Sequence, residues 1–214
     1  AHGLLPNNII EIKPELADAF MGATETNQEG AAIIEGPNGV ERDTGIRSVM
    51  FTDIVGSTNL TQQLGDELAM EILGVHDTAV RDALAEQSGR EVKHTGDGIM
   101  AAFLSAAAAI RCGIQVQKEL TAYCNANPDR PLHIRIGVAA GEPVERNNDL
   151  FGSTVQLAAR LCAHAQPNQI LVSNVVAELC LGKGLSFDDL GMISPKGFDQ
   201  PVHVHAVHWS ATGA

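Results

Sequence analysis

The chain has 214 residues with 14 Lys and Arg against 26 Asp and Glu, a net charge of −12. That size suits one domain with something left over, and the acidic balance argues against non-specific binding to DNA, RNA or anionic membranes, whose phosphates need Lys and Arg. It leaves a nucleotide open, because divalent cations on carboxylates can carry its phosphates. Apolar residues make up 44% of the chain, enough for a real core and too many for wholesale disorder. Aromatics are only 4%, so the core is built from Ala, Val, Leu and Ile.

Residues 1–45 have a loose texture, with Pro6, Pro14, Gly22, Gly30, Gly36, Pro37 and Gly39. They read as a linker or the tail of an upstream domain, and 46–214 as the functional domain. Ser48–Val55 reads as a buried strand. Leu60–Ala85 has helix spacing through Leu64, Leu68, Ile72, Val75, Ala79 and Leu84. Arg90–His94 and Ile99–Phe103 flank Thr95-Gly-Asp-Gly98 and read as a hairpin. Ser105–Asn125 is an Ala-rich helix stopped by Asn127-Pro128, and Leu132–Ala140 alternates as a strand. Phe151–Ala165 reads as a helix, Gln169–Val172 as a strand, and Asn174–Leu181 as a short helix ended by Gly182. Strands around Leu185–Phe187 and Val202–Trp209 close the chain. The order is βαββαβ followed by αβαββ. It predicts an α+β fold with a ferredoxin-like βαββαβ core, an antiparallel-rich sheet carrying its helices on one face, and a C-terminal αβαββ extension.

The longest uninterrupted apolar run, Ile99–Leu104, is far short of the ~20 residues a membrane span needs. No membrane insertion is expected, and no signal-peptide pattern is visible. Cys112, Cys124, Cys162 and Cys180 form no CxxC motif. They read as reduced core cysteines of a cytoplasmic protein.

Asp53 ends the first strand, and Asp97 sits at the hairpin tip. With the first strand central and the third beside it, the two carboxylates come close. Such a pair repels unless a divalent cation joins it. Oxygen-only donors suit Mg²⁺ or Mn²⁺. Taken singly, Asp97 also reads as an ordinary turn residue and Asp53 as a strand-end cap. Gly56, Ser57 and Thr58 lead into a helix, where backbone N–H groups cradle a phosphate or simply cap the helix. Gln156 and Arg160 are four apart and share a helix face fit for a phosphate or ribose. Ser153-x-x-Gln156 is equally a capping-box pattern. Lys196-Gly-Phe198 is a basic loop within reach of a phosphate. His203 and His205 share a strand face, which reads as an exposed face more readily than as a metal site.

In combination these motifs resemble the class III nucleotide cyclases, the adenylate and guanylate cyclase catalytic domain, over about Arg47–Trp209. The resemblance rests on Phe51-Thr-Asp-Ile-Val-Gly-Ser-Thr58, Val92-Lys-His-Thr-Gly-Asp-Gly98, Ile134-Arg-Ile-Gly-Val138, Asp149-Leu-Phe-Gly-Ser-Thr-Val-Gln-Leu-Ala-Ala-Arg160 and Lys196-Gly-Phe198. It implies two divalent metals, Mg²⁺ or Mn²⁺, on Asp53, Ile54 and Asp97. It implies adenine reading by Lys93 and Asp149, phosphate contacts from Lys196 and the Gly56-Ser57-Thr58 turn, ribose orientation by Gln156, and transition-state charge compensation by Arg160. The implied reaction turns ATP into 3′,5′-cyclic AMP and pyrophosphate at two sites shared between the chains of a homodimer. Guanylate or other nucleotide cyclisation, and a catalytically weak nucleotide-binding regulatory module, are the alternatives. Two departures stand out. Gln156 occupies the place where the family commonly has Asn. The Gly141–Asp149 stretch is short, as in the short-armed bacterial branch, so the arm's phosphate-contacting Arg has no clear counterpart beyond Arg146 as a candidate.

Overall fold

The computed structural model describes residues 45–57 and 65–209. The expected tail lies, but for Gly45, outside the described residues, as do Thr58 and the start of the helix expected from Leu60. A seven-stranded sheet has the order β2-β3-β1-β4-β7-β9-β8. Its strands are β1 (Arg47–Ile54), β2 (Arg90–His94), β3 (Ile99–Phe103), β4 (Ile134–Gly141), β7 (Ile170–Ser173), β8 (Phe187–Ile193) and β9 (Val202–Val207). Helices α1 (Asp66–Glu86), α2 (Ala106–Ala126), α3 (Ser153–His164) and α4 (Asn174–Leu179) complete the layers. All pairings are antiparallel except β4 with β7. The β2-β3-β1-β4 order is that of the expected ferredoxin-like core, with β1 central and β3 beside it.

Alternation along the strands sends successive side chains to opposite faces. Met50 and Ile54 of β1 and Ile99, Ala101 and Phe103 of β3 join Ile72, Val80, Ile110 and Val116 of α1 and α2 in one core. Val49, Met100, Ala102 and Ala139 join Ala158 and Leu161 of α3 and Leu150 in the other. The two core helices thus share one face as expected. The extension adds α3 on the opposite face, so the sheet is covered on both sides. Ser105 caps α2, its hydroxyl accepting from Ala108 N–H at 3.3 Å.

Three local expectations are corrected. The helix expected from Phe151 begins at Ser153; Asp149–Phe151 forms β6, which pairs with β5 (Val144–Arg146) in a small hairpin. Asn147 and Asn148 take positive φ at its tip, which Asn tolerates. The capping box is absent. Gly152 is the N-cap of α3, no side chain caps that end, and Gln156 is left exposed on the helix. The strand expected at Leu185–Phe187 starts at Phe187 and runs to Ile193.

One polar residue is wholly buried between α1 and the sheet. His76 has 0% exposure and a pKa held below 6.5, because burial penalises its charged form more than Asp77 favours it. The sign follows from linkage. Above about pH 6.5 folded and unfolded chains both hold a neutral imidazole. Below it the unfolded chain takes up a proton that the folded one does not. Stability is therefore expected to fall with pH from about 6.5 down to the folded pKa, by up to about 1.4 kcal/mol per unit. Urea midpoints measured across this window on the parent and His76→Gln chains check it. The variant's curve should be the flatter.

Candidate active site

The segments that carry the two aspartates meet because β1 and β3 are neighbours and the β2–β3 turn folds back on the end of β1. Ile54 N–H donates to the Asp97 carbonyl at 3.1 Å, and Thr95 N–H closes the turn onto Gly98 O at 2.8 Å. Gly98 is required there: a Cβ at that position would overlap the Thr52 carbonyl. Ser57 Oγ donates to Asp97 Oδ2 at 2.5 Å. Gly56, at φ 73°, makes the bend that brings Ser57 round.

Asp53 lies on the α3 side of the sheet. It pairs across the strands with Arg135 of β4, whose Nε donates to Asp53 Oδ2 at 3.0 Å and whose Nη2 donates to the same oxygen. Nη1 of Arg135 reaches the Ala163 carbonyl in the last turn of α3 at 3.3 Å. Sequence reading passed over Arg135. A charged residue in the otherwise apolar Ile134-Arg-Ile-Gly-Val138 strand needs a partner, and that was the available signal.

The donor set fits a hard divalent cation. Asp53 and Asp97 would offer carboxylate oxygens and Ile54 a backbone carbonyl, the hard donors that suit Mg²⁺ or Mn²⁺. Each carboxylate is held in place by one neighbour, Arg135 or Ser57. Among the described residues no group of three or more His, Cys, Asp or Glu side chains forms a metal cluster.

Lys93 and Asp149 come together from β2 and β6. Lys93 Nζ donates to Asp149 Oδ2 at 2.7 Å and Oδ1 at 3.0 Å and lies 5.8 Å above the Phe151 ring. Lys93, then the Leu150 N–H, holds the Asp149 carboxyl below its ordinary value. Arg90 anchors the hairpin that carries Asp149, donating to Glu145 at 2.7 Å and to the Asn148 carbonyl at 3.2 Å. Arg146 is exposed on that hairpin.

Gln156 and Arg160 lie one turn apart and exposed on α3. Arg160 Nε donates to the Lys196 carbonyl at 3.1 Å, which draws the 196–198 loop to the helix. Three groups result: Asp53, Ile54, Ser57 and Asp97; Lys93 with Asp149; Gln156, Arg160 and Lys196. No hydrogen bond or ion pair among the described residues joins one group to another. A groove of about 510 Å³ between α1 and α2 contains none of them.

Elsewhere the candidates are structural. The His203 and His205 rings lie 4.7 Å apart, but His203 bonds Asp189 at 2.6 Å and His205 bonds Asn174 at 2.9 Å. All four cysteines are free, and burial pushes Cys112 and Cys162 up to about 12, leaving them unreactive thiols. No helix among the described residues is long and apolar enough to cross a membrane.

Comparison with known proteins agrees with this fold. The adenylate and guanylate cyclase catalytic domain matches residues 41–208. An adenylate cyclase of Streptomyces coelicolor is 34% identical over 131 residues, 61% of this chain and 33% of that protein. The crystal structure of the adenylyl cyclase CyaB from P. aeruginosa superposes with TM-score 0.73 at 26% identity, covering 80% of this chain and 97% of that one. The adenylate/guanylate cyclase/hydrolase structure from Silicibacter pomeroyi gives TM-score 0.71 at 29% identity, covering 78% and 97%. The chain spans between about a quarter and a half of the length of the curated relatives it matches.

Proposed function

The chain belongs to the adenylate and guanylate cyclase catalytic domain family, and from that membership we propose that it converts ATP to 3′,5′-cyclic AMP and pyrophosphate. The observation that supports the reading is the backbone tie between Ile54, next to Asp53, and Asp97 of the 95–98 turn. The ribose 3′-oxygen attacks the α-phosphorus, the bond from that phosphorus to the bridging β-phosphate oxygen breaks, and the 3′-hydroxyl proton leaves to solvent. Two Mg²⁺ or Mn²⁺ ions held by Asp53, Ile54 and Asp97 would acidify the 3′-hydroxyl and neutralise the triphosphate.

The chain's own residues do the rest. Backbone N–H groups of Gly56, Ser57 and Thr58 and the Lys196 ammonium bind phosphate oxygens. Arg160 offsets charge that grows on the α-phosphate as the attack proceeds. Gln156 orients the ribose through its amide. Lys93 donates to a purine ring nitrogen and Asp149 accepts from the exocyclic amine, the complement of adenine rather than guanine. Their mutual ion pair holds both side chains in place before the base arrives.

Membership of the family supports a homodimer in which the complete site takes Asp53 and Asp97 from one protomer and Lys93, Asp149, Gln156 and Arg160 from its partner. A second reading, a nucleotide-binding regulatory module with little turnover, is favoured only by Gln156, whose amide stands one methylene further out than an Asn amide.

The test is a product assay. The purified chain is incubated with Mn²⁺ or Mg²⁺ and each of ATP, GTP, CTP and UTP, and the products are separated. Cyclic AMP as the main product supports the reading. Cyclic GMP in excess refutes the adenine assignment of Lys93 and Asp149. Tight ATP binding without pyrophosphate release favours the regulatory module.

A further inference from the structure

A continuous chain of hydrogen bonds leaves one side of the Asp97 turn, passes through the buried His76, and returns to the other side. Ile99 N–H donates to Thr52 Oγ1 at 2.9 Å, and Thr52 Oγ1 lies 3.0 Å from His76 Nε2. His76 Nδ1 lies 3.0 Å from Asp77 Oδ1. The same oxygen is 3.1 Å from His94 Nε2, and Gly96 N–H donates to His94 Nδ1 at 3.1 Å.

One arrangement of protons satisfies every member. The Gly96 N–H makes His94 Nδ1 an acceptor, so His94 carries its proton on Nε2 and donates to Asp77. Asp77 only accepts, so His76 donates from Nδ1 and must accept at Nε2. The Thr52 hydroxyl then donates to His76 while accepting from Ile99. Burial favours the neutral imidazole that this requires.

The ends of the chain are the amides of residues 96 and 99, which bracket Asp97. At the Ile99 end it grips Thr52, the residue before Asp53. Packing of α1 on the sheet does not need it, since Ile72, Ala79, Val80 and Ala83 already bury that helix. Replacing such a polar chain by apolar residues of the same volume is often neutral for stability, so burying α1 does not by itself call for these polar residues.

We propose that His76, with Asp77 and His94, is a positioning unit that fixes the 96–99 turn and the end of β1, holding Asp53 and Asp97 ready for the cation they share. This rests on the metal-site reading above. Groups that orient metal ligands from outside typically change affinity by about 10- to 100-fold when removed.

The experiment measures Mn²⁺ binding to the full chain by electron paramagnetic resonance of free Mn²⁺. It uses the metal alone and the metal with 3′-deoxy-ATP, which has no 3′-hydroxyl to react. His94→Ala cuts the Gly96 end at a partly exposed position. Thr52→Val removes the hydroxyl at constant volume. Asp97→Asn reports on the site itself. Melting curves confirm folding at the assay temperature, and should Thr52→Val not fold, His94→Ala carries the comparison alone. The expected result is Mn²⁺ affinity about tenfold lower in His94→Ala and Thr52→Val. The double variant should fall short of the product of the two, because both cut one chain. Unchanged affinity in these folded variants, beside an Asp97→Asn chain that loses Mn²⁺, overturns the positioning role. An Asp97→Asn chain that binds Mn²⁺ normally overturns the metal-site reading instead.

Discussion

Asp53→Ala is expected to lower cyclic nucleotide production by at least about 10³-fold while leaving the chain folded. The carboxylate is one of only two that the 53–57 and 95–98 segments offer a cation, so its loss removes half of the anionic donor set. It also releases Arg135 from its carboxylate partner. The cost to folding stays small, about 1–2 kcal/mol. The Arg135 side chain is 29% exposed and keeps its bond to the Ala163 carbonyl. Initial rates of cyclic AMP formation and urea midpoints, measured on the same preparation, separate the two effects. A chain that loses activity and stability together would mean that Asp53 serves the fold.

Gly137→Ala is expected to be severely destabilising. A Cβ at this β4 position would overlap the Cys162 nitrogen and the Ala158 carbonyl and sit 2.7 Å from Cys162 Cα. All three are backbone atoms of α3, so no rotamer change makes room. Either α3 lifts from the sheet or β4 bends, and both open the core around Ala139, Ala158 and Leu161. The expected loss is about 3 kcal/mol or more, the range of severe overpacking. Activity falls with it, because α3 carries Gln156 and Arg160. Gly113→Ala is the contrast. Its new Cβ meets only side-chain atoms, the nearest 3.4 Å away, and Ala favours the α2 helix by up to about 1 kcal/mol. Denaturant midpoints of the two variants should move in opposite directions.

What could be read from the sequence followed from period and spacing. The β1 run, the Thr95-Gly-Asp-Gly98 hairpin and the Ala-rich α2 each carry a strong local signal, and together they predicted the β1–β3 pairing that ties the 95–98 turn to the end of β1. The β5–β6 hairpin escaped because three-residue strands carry no period, although Asn147-Asn148 between them was a turn signal. The β8 strand was misplaced for a related reason. It is an edge strand through Asp188-Asp189-Leu190-Gly191 with a bulge between Asp189 and Gly191, so neither face is uniformly apolar. The capping pattern at Ser153 misled because Gly152, at φ 114°, took the cap position one residue earlier. His76 was invisible because the helix spacing around Ile72, Val75 and Ala79 gave no reason for a histidine on the buried side. Only the fold, which sets Thr52 against it, supplies one.

The shared site is the claim on which the rest depends, and complementation tests it most directly. Asp53→Ala and Arg160→Ala chains are each expected to be inactive as homodimers, since every site in them lacks one essential group. Mixed and allowed to exchange, they form a heterodimer in which one site joins the intact Asp53 and Asp97 of the Arg160→Ala chain to the intact Arg160 of the other. The account predicts that cyclic AMP formation returns on mixing, to a fraction of the unaltered rate set by the share of mixed dimers. Mixed dimers confirmed by differential tagging, with no recovery of activity, would contradict it.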